Sequence, residues 1–258
     1  MLDKIVAKTK ERLVESKRNR SLDQIREEVS KLDANDDFPF KKALKDHEIA
    51  IIAEVKKASP SKGLIAEDFD YIKIAKDYEQ SGASAISVLT EPYFFKGSND
   101  YLKEIAENVR LPILRKDFTI DEYMIYEAKS LGASAILLIV SILDDVQLKE
   151  YLDLAHELGL SAIVETHDAK EIRTAMDAGA EIIGVNNRNL ADFTVDINNS
   201  VNLHRLVSDD ILFISESGIK TAEDVRRLKE NNVDAVLIGE TLMRSDDKKA
   251  MIAELKNG

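Results

Sequence analysis

Ionisable side chains stand at the ends of short apolar runs of this 258-residue chain, where a buried sheet normally excludes them. The first run ends in Glu54 and Lys56, the third in Arg115 and Lys116, and the fifth in Glu165. A carboxylate beside an ammonium in a partly desolvated site shifts the pKa of its partner, so such groups are candidates for acid–base chemistry. Each has a structural alternative: the first is an ion pair that caps the fold, the second two solvated cations, and the third an anion at a helix N-terminus.

The last three runs end in small or polar residues that suit an anionic ligand. They are Asn186 and Arg188 after the sixth run, Glu216, Ser217 and Gly218 after the seventh, and Gly239 and Glu240 after the eighth. Small residues let backbone N–H groups approach a phosphate, and barrels of parallel strands typically place phosphate sites after strands seven and eight. Ser59, in the loop after the first run, faces the same end. Although Asn186 could simply form a turn, the combination predicts a sugar-phosphate ligand.

Eight runs rich in Val, Ile and Leu must position these side chains. They cover residues 49–55, 85–89, 111–115, 135–140, 161–165, 181–186, 211–215 and 235–239, with helical spacing between them. Near-continuous apolar runs indicate parallel strands that are covered on both faces. Eight consecutive strand–helix units favour a closed sheet, so we predict the α/β class and a (β/α)8 TIM barrel. Because side chains alternate along a strand, Glu54 and Lys56 both point into its mouth.

Residues 1–48 stand outside this repeat. The segments 2–17 and 21–32 have amphipathic helical spacing, and Ser21 with Gln24 forms a capping-box pattern at the start of the second. No low-complexity linker separates them from the first strand. We therefore predict one domain over residues 1–258, with an N-terminal helical extension (1–48) packed on the barrel (49–258).

Composition excludes several classes of function. The chain has no Cys, which excludes disulfides and Cys-ligated metals, and its four His lack metal-ligand spacing. A net charge of −12 disfavours a nucleic-acid partner, and no apolar run reaches the roughly 20 residues that span a membrane. We expect a cytoplasmic protein without a metal or cofactor, whose lysines and carboxylates act on a small sugar phosphate.

Motifs from every strand together resemble the indole-3-glycerol-phosphate synthase family. They are IIAEVKKASPSKG, SVLTEPYFFKGS, ILRKDF, AILLIV, IVETHD, IIGVNNRNL, FISESGI and VLIGETLM, in this order along essentially the whole chain. The resemblance implies a cofactor-free carboxy-lyase of tryptophan biosynthesis. Its reaction converts 1-(2-carboxyphenylamino)-1-deoxyribulose 5-phosphate into indole-3-glycerol phosphate, with loss of carbon dioxide and water. The resemblance implies this substrate as the partner of the chain. It leaves open whether the chain also contacts other enzymes of the pathway.

The resemblance also implies a role for each matching residue. Lys116 corresponds to the general acid that protonates the ribulose carbonyl oxygen, and Glu165 to the carboxylate that moves protons later. Glu54 and Lys56 correspond to the pair near the substrate carboxylate, with Lys56 a further candidate acid for dehydration. The positioning donors correspond to Asn186 and Ser217, and the groups that line the anionic ends of the substrate to Arg188 and Ser59. The wall and the phosphate cradle correspond to Glu216, Gly218, Gly239 and the backbone of Glu240.

Two other functions stay open at this point. Another sugar-phosphate barrel enzyme, such as an isomerase or a Schiff-base aldolase, would carry a similar phosphate cradle. A barrel that binds a sugar phosphate without turnover belongs to a different class. Such a reworked barrel normally loses residues of its mouth, whereas all the central polar residues are present in this chain.

Overall fold

Eight parallel strands form the core of the protein in a computed structural model, which describes residues 1–32, 37–189 and 193–257. The strands are β1 (Ala50–Val55), β2 (Ala85–Leu89), β3 (Ile113–Lys116), β4 (Ala135–Ile139), β5 (Ser161–Thr166), β6 (Ile182–Asn186), β7 (Leu212–Glu216) and β8 (Ala235–Ile238). Each strand pairs with the next, and β8 pairs with β1, so the sheet closes on itself. The predicted (β/α)8 barrel is confirmed.

Helices lie before the barrel and after every strand. The extension holds α1 (Leu2–Asn19), α2 (Leu22–Val29) and α3 (Pro39–Lys45). The barrel helices are α4 (Tyr71–Gln80), α5 (Asn99–Asn108), α6 (Glu122–Ser130), α7 (Asp145–Glu157), α8 (Ala169–Asp177), α9 (Asn198–His204), α10 (Ala222–Glu230), α11 (Glu240–Arg244) and α12 (Lys248–Lys256). A 3-10 turn at Val140–Ile142 follows β4, and a small hairpin pairs Ala58–Ser59 with Gly63–Leu64 after β1. Within the described ranges, no helix combines the length and the apolar character needed to cross a membrane.

The second helix of the extension is shorter than its sequence pattern predicts. It begins as expected, because the Ser21 hydroxyl accepts the backbone N–H of Gln24 and the Gln24 side chain returns the bond. It ends at Val29, short of the predicted residue 32. The hydroxyl of Ser30 donates to the carbonyl of Glu27, and such local bonds compete with continued helix.

Alternation along the strands sorts the apolar side chains into two layers. Ile52, Leu114 and Ile163 belong to a cluster on the barrel axis, whereas their neighbours along each strand pack against the helices. Phe40 and Leu44 of α3 join the inner cluster, so this helix packs against the end of the barrel where the strands begin. The next inward positions lie at the opposite end, which forms the mouth.

Helix α1 is fastened to the barrel by a buried ion pair. Arg12 donates hydrogen bonds of 2.9 Å to both carboxylate oxygens of Asp117, and a third of 3.3 Å to the carbonyl of Thr90. Asp117 directly follows β3, and its side chain is fully buried. On this support we propose that residues 1–48 and 49–258 form one domain.

Arg12→Met should destabilise the fold by about 3 kcal/mol, because it leaves a buried carboxylate without its main partner. Urea unfolding at pH 7 measures the loss, and Lys31→Met, which removes an exposed pair with Glu27, is the control with little expected effect. Burial alone would raise the pKa of the Asp117 carboxyl group, but the charge of Arg12 outweighs burial and holds this pKa below its usual range. This stabilisation therefore holds above the unfolded Asp pKa and is lost as the pH falls through the folded value. If Arg12→Met lost no more unfolding free energy than Lys31→Met, the one-domain arrangement would be contradicted.

Candidate active site

A cavity of about 600 Å³ opens at the C-terminal ends of the strands, and every site residue predicted from the sequence lines it. These residues are Glu54, Lys56, Ser59, Lys116, Glu165, Asn186, Arg188, Glu216, Ser217, Gly218, Gly239 and Glu240. They come from six of the strands and from the loops that follow them. Closure of the barrel brings together side chains that lie far apart along the chain.

Lys116 lies at the centre of the buried charges. Its Nζ atom is 3.0 Å from Oε2 of Glu165 and 2.5 Å from Oε2 of Glu216. Arg115 points to the other face of β3, as alternation requires, and its guanidinium binds the carboxylate of Glu127 at 2.6 Å. The two adjacent cations therefore differ in position, and neither is the solvated loop cation that the sequence left as an alternative.

The carboxylates affect one another's ionisation through the ammonium they share. Burial alone would lower the pKa of Lys116, but the charges of Glu216 and Glu165 raise it above the ordinary lysine value. Burial also raises the pKa of each carboxyl. For Glu165 the charge of Lys116 outweighs burial and lowers the pKa, whereas the pKa of Glu216 is raised to about 7. Near neutral pH the site thus holds a protonated lysine, an ionised Glu165 and a partly protonated Glu216.

Burial is the largest cause of the raised pKa of Glu216, and one oxygen of its carboxyl group shows how complete that burial is. Its Oε1 atom is buried and has no hydrogen-bond partner in the described part of the chain. An unpaired buried oxygen disfavours the charged form of a carboxyl group. The side chain also packs onto Gly184 of β6, where a Cβ atom would overlap Oε1. Gly184 therefore makes the space in which this carboxyl group lies.

Glu54 and Lys56 form a second pair beside this cluster. The Lys56 Nζ and Glu54 Oε1 atoms are 2.5 Å apart, and the Glu54 side chain is only 4% exposed. Both point into the mouth, as strand alternation predicts. They pack over Gly239 at the end of β8, where a Cβ atom would overlap Oε1 of Glu54 and lie 2.8 Å from Nζ of Lys56. Gly239 thus makes room for this pair in addition to ending the strand.

Two consecutive asparagines have different functions at the end of β6. Asn186 donates from Nδ2 to Oε1 of Glu165 at 3.2 Å, and its Oδ1 accepts the backbone N–H of Arg188 at 3.0 Å. Asn187 is buried, and its Nδ2 donates to the carbonyl of Ser217 at 3.1 Å. The turn-forming role that the sequence left open for Asn186 is shared with Asn187, which ties this turn to the loop after β7.

The loops after β7 and β8 bring small residues to one side of the cavity. Ser217 and Gly218 have left-handed φ angles of 69° and 87°. For a serine this conformation is costly, so its surroundings must hold it in place. Glu240 directs its carboxylate toward Arg244, at 3.1 Å, while Ser59 borders the cavity from the hairpin after β1.

An apolar wall, which the sequence reasoning missed, lines the same cavity as the charged cluster. Phe95 and Phe118 line the cavity with their ring centroids 6.0 Å apart, and Leu137 and Ile139 extend the wall. Buried Glu91 fixes this loop, because its carboxylate accepts the backbone N–H of Phe95 at 3.0 Å. The TEPYFF motif carried the signal, since a carboxylate beside two aromatic residues is unusual for a solvated loop.

The N-terminal extension completes this wall. Met1, Leu2 and Ile5 of the first helical segment line the same cavity. Their apolar spacing is visible in the sequence, but it does not show which surface they cover. Among the described residues, no group of three or more His, Cys, Asp or Glu side chains is arranged to hold a metal ion.

The fold and the cavity define a (β/α)8 barrel whose mouth sets lysines and glutamates against an apolar wall. Residues 2–255 match the family model described as indole-3-glycerol phosphate synthase. The chain therefore belongs to the indole-3-glycerol phosphate synthase family.

Individual proteins give the same result. The chain is 56% identical to the indole-3-glycerol phosphate synthase of Ruminiclostridium cellulolyticum and 55% identical to that of Lacticaseibacillus paracasei, in each case over 99% of this chain and 98% of the relative. Among solved structures, 3-hexulose-6-phosphate synthase from Salmonella typhimurium has a TM-score of 0.67 at 14% identity, covering 81% of this chain and 97% of that one. The N-acetylmannosamine-6-phosphate 2-epimerase from Clostridium perfringens has a TM-score of 0.62 at 18% identity, covering 79% and 90%. At such identities these structures show the fold alone.

Proposed function

We propose that this chain catalyses the reaction for which its family is named. It closes the indole ring of indole-3-glycerol phosphate from 1-(2-carboxyphenylamino)-1-deoxyribulose 5-phosphate, with loss of carbon dioxide and water. The observation that carries the proposal is Lys116, held between Glu165 and Glu216 in a cavity that also has an apolar wall. Because ring closure joins two parts of one molecule, a cavity that holds them in reacting geometry removes much of the barrier.

Lys116 acts as the general acid of ring closure. It protonates the ribulose carbonyl oxygen as the aromatic carbon attacks, and its raised pKa keeps the proton available at neutral pH. Glu216 tunes this acid. When its carboxyl group is protonated, Lys116 loses one counter-charge and releases its proton more readily. We thus give Glu216 a place in the acid–base cluster in addition to the wall of the phosphate cradle.

Glu165 acts as the base of the later step. Lys116 keeps it ionised, and Asn186 fixes its orientation through the hydrogen bond to Oε1. Lys56, neutralised by Glu54, lies near the substrate carboxylate and is the second candidate acid, for the departure of water. Two ammonium groups and one ionised carboxylate then cover the proton transfers that the reaction needs.

The small residues at the ends of β7 and β8 receive the phosphate. Backbone N–H groups at Gly218, Gly239 and Glu240 form the cradle, and the Ser217 hydroxyl positions the sugar. Arg188 and Ser59 line the cavity where they can contact the anionic ends of the substrate. The aromatic wall receives the carboxyphenyl ring, which favours contact with other aromatic faces and edges.

Two finer statements belong to this proposal. We expect the enzyme to act in the cytoplasm, where sugar phosphates are made and used, and cell fractionation tests that location. Contact with other tryptophan-pathway enzymes stays a prediction, which co-purification of the tagged full-length chain would examine.

The direct test is fluorescence of the indole product on mixing the chain with the carboxyphenylamino-deoxyribulose phosphate. The chain contains no Trp, so the product signal is distinct from that of its tyrosines. A steady rise supports the synthase. Binding of a substrate analogue without any rise would instead favour a non-catalytic sugar-phosphate barrel.

The rate of ring closure should follow a bell-shaped pH profile, because an ammonium and a carboxylate must hold opposite protonation states. The acidic limb should lie below the usual Glu pKa, since the pKa of Glu165 is lowered. The basic limb should begin near pH 7, where Glu216 loses its proton. The new negative charge makes Lys116 release its own proton less readily. Single-turnover indole fluorescence measures the basic limb up to pH 10, and the acidic limb should not yet appear at pH 4.5, close to the usual Glu pKa. Glu216→Gln should move the basic limb upward, and an unmoved limb would contradict this role.

A further inference from the structure

His167 lies between two carboxylates at the end of β5, and none of the steps above uses it. Its Nδ1 atom is 3.1 Å from Oε2 of Glu171, and its Nε2 atom is 3.5 Å from Oε1 of Glu165. Within residues 1–32, 37–189 and 193–257, the buried Nε2 atom has no hydrogen-bond partner. Glu165 is 5% exposed and Glu171 is 18% exposed. The imidazole thus connects the interior of the cavity with a more accessible carboxylate.

The hydrogen bonds define the protonation of the ring. Glu171 Oε2 also accepts the backbone N–H of His167 at 2.7 Å, so this carboxylate acts as an acceptor and Nδ1 as its donor. In the neutral ring the Nε2 lone pair then faces Glu165. A neutral ring can take a proton from the Glu165 carboxyl group, and a charged ring can deliver one to the carboxylate.

The proposed reaction consumes a proton that this connection can supply. The substrate carboxylate leaves as neutral carbon dioxide and a hydroxyl leaves as water, so each turnover takes up one proton from the solvent. The acid and the base of the reaction are both buried, since Lys116 is 13% and Glu165 is 5% exposed. A group that meets both Glu165 and the outside gives protons a route that stays open when substrate fills the cavity.

We propose that His167 relays protons between Glu165 and the accessible side of the site at Glu171. The charged ring gives its Nε2 proton to Glu165, which passes it to Lys116 Nζ, 3.0 Å away, after Lys116 has protonated the substrate. Nδ1 stays bonded to Glu171, and the ring regains a proton from solvent. Only N–H and O–H bonds form and break in this sequence. The relay rests on the proposed synthase function.

The charges that face His167 favour this role. They are Glu165 on the same strand, Glu171 on α8 and Glu216 on β7, with Lys116 on the far side of Glu165. Burial alone would lower the pKa of His167, but the hydrogen bond to Glu171 and the negative charges raise it above the ordinary value. These charges favour the protonated ring, which is the form that delivers a proton to Glu165. Asn199 of α9 donates a hydrogen bond to the backbone carbonyl of His167, not to a ring nitrogen.

Single-turnover indole fluorescence tests the relay without interference from product release. His167→Ala should slow indole formation about tenfold, a loss below the range for direct acid–base groups, with little change in KM. Added imidazole should restore the rate in proportion to its concentration. His167→Gln keeps a hydrogen-bonding group, but the amide does not take up and release a proton near neutral pH, so this variant should be equally slow. His47→Asn, at an exposed residue before β1, should match the wild type with and without imidazole.

Several outcomes would overturn the relay while leaving the synthase intact. They are an unchanged rate in both His167 variants, a His167→Gln rate equal to that of the wild type, or a loss that imidazole does not restore. If the wild type itself forms no indole, the proposed function fails instead. A readout independent of activity is the imidazole titration followed by NMR. Glu171→Gln should lower the pKa of His167, and an unchanged pKa would also contradict the relay.

Discussion

Lys116→Ala should lower kcat by about 10³-fold while changing KM little, because a general acid contributes between about 10² and 10⁴ to the rate. The substitution removes the proton donor and also the cation between Glu165 and Glu216. Without this cation the pKa of Glu165 should rise, so a smaller fraction of this base is ionised at a given pH. Steady-state indole fluorescence gives both constants, and circular dichroism establishes that the variant is folded. The reverse pattern, a raised KM with kcat preserved, would make Lys116 a binding residue.

Lys116→Arg separates the two effects of this substitution. A guanidinium keeps the positive charge between the carboxylates but does not release a proton near neutral pH. If proton donation is the main contribution, kcat should stay low in this variant although Glu165 stays ionised. Lys103→Ala, on the exposed face of α5, is the surface control and should behave as the wild type.

Borohydride distinguishes the synthase from a Schiff-base aldolase. A general acid forms no covalent bond with the substrate, so reduction in the presence of substrate should yield no adduct. A stable adduct on Lys116 would show an imine and would contradict the general-acid role. An adduct that forms equally in Lys116→Ala would point to another lysine of the mouth, of which Lys56 is the nearest alternative.

The sequence predicts most of the barrel because its rules are local. Apolar runs with helical spacing between them determine the strands, and alternation alone predicts that Glu54 and Lys56 share a face. The choice between Arg115 and Lys116 could not be made this way. It depends on whether the odd-numbered or the even-numbered residues of the strand face the barrel axis. The inner position of Leu114 decides it in favour of Lys116.

Contacts between distant strands are what the sequence could not supply. The sequence assigned Glu216 to the wall of the phosphate cradle, whereas its carboxylate also binds Lys116 across the barrel. That pairing requires the barrel to close and the register of four intervening strand pairings to be known. The apolar face of α1 was likewise visible, but its place at the cavity involves contacts with distant parts of the chain, such as the ion pair between Arg12 and Asp117.

Gly239→Ala should lower kcat by about 10²-fold, although it alters no group that carries a proton or a charge. The added Cβ overlaps Oε1 of Glu54 and lies 2.8 Å from Nζ of Lys56. Both atoms end flexible side chains, so they give way more easily than backbone would, and the fold should survive. The pair of ionisable groups is displaced, however. A displacement of about 1 Å at a reacting group lowers the rate by about 10²-fold.

A second glycine makes the comparison specific. At Gly184 the added Cβ overlaps Oε1 of Glu216 instead, so Gly184→Ala should alter the basic limb of the pH profile, whereas Gly239→Ala should leave that limb in place. Thermal unfolding of both variants shows how much of each loss is stability. Combining Gly239→Ala with Glu54→Gln should cost no more than the worse single variant if both act through Glu54. If Gly239→Ala instead raises KM and spares kcat, Gly239 serves the phosphate alone, and the space it leaves for Glu54 and Lys56 is not limiting for the reaction.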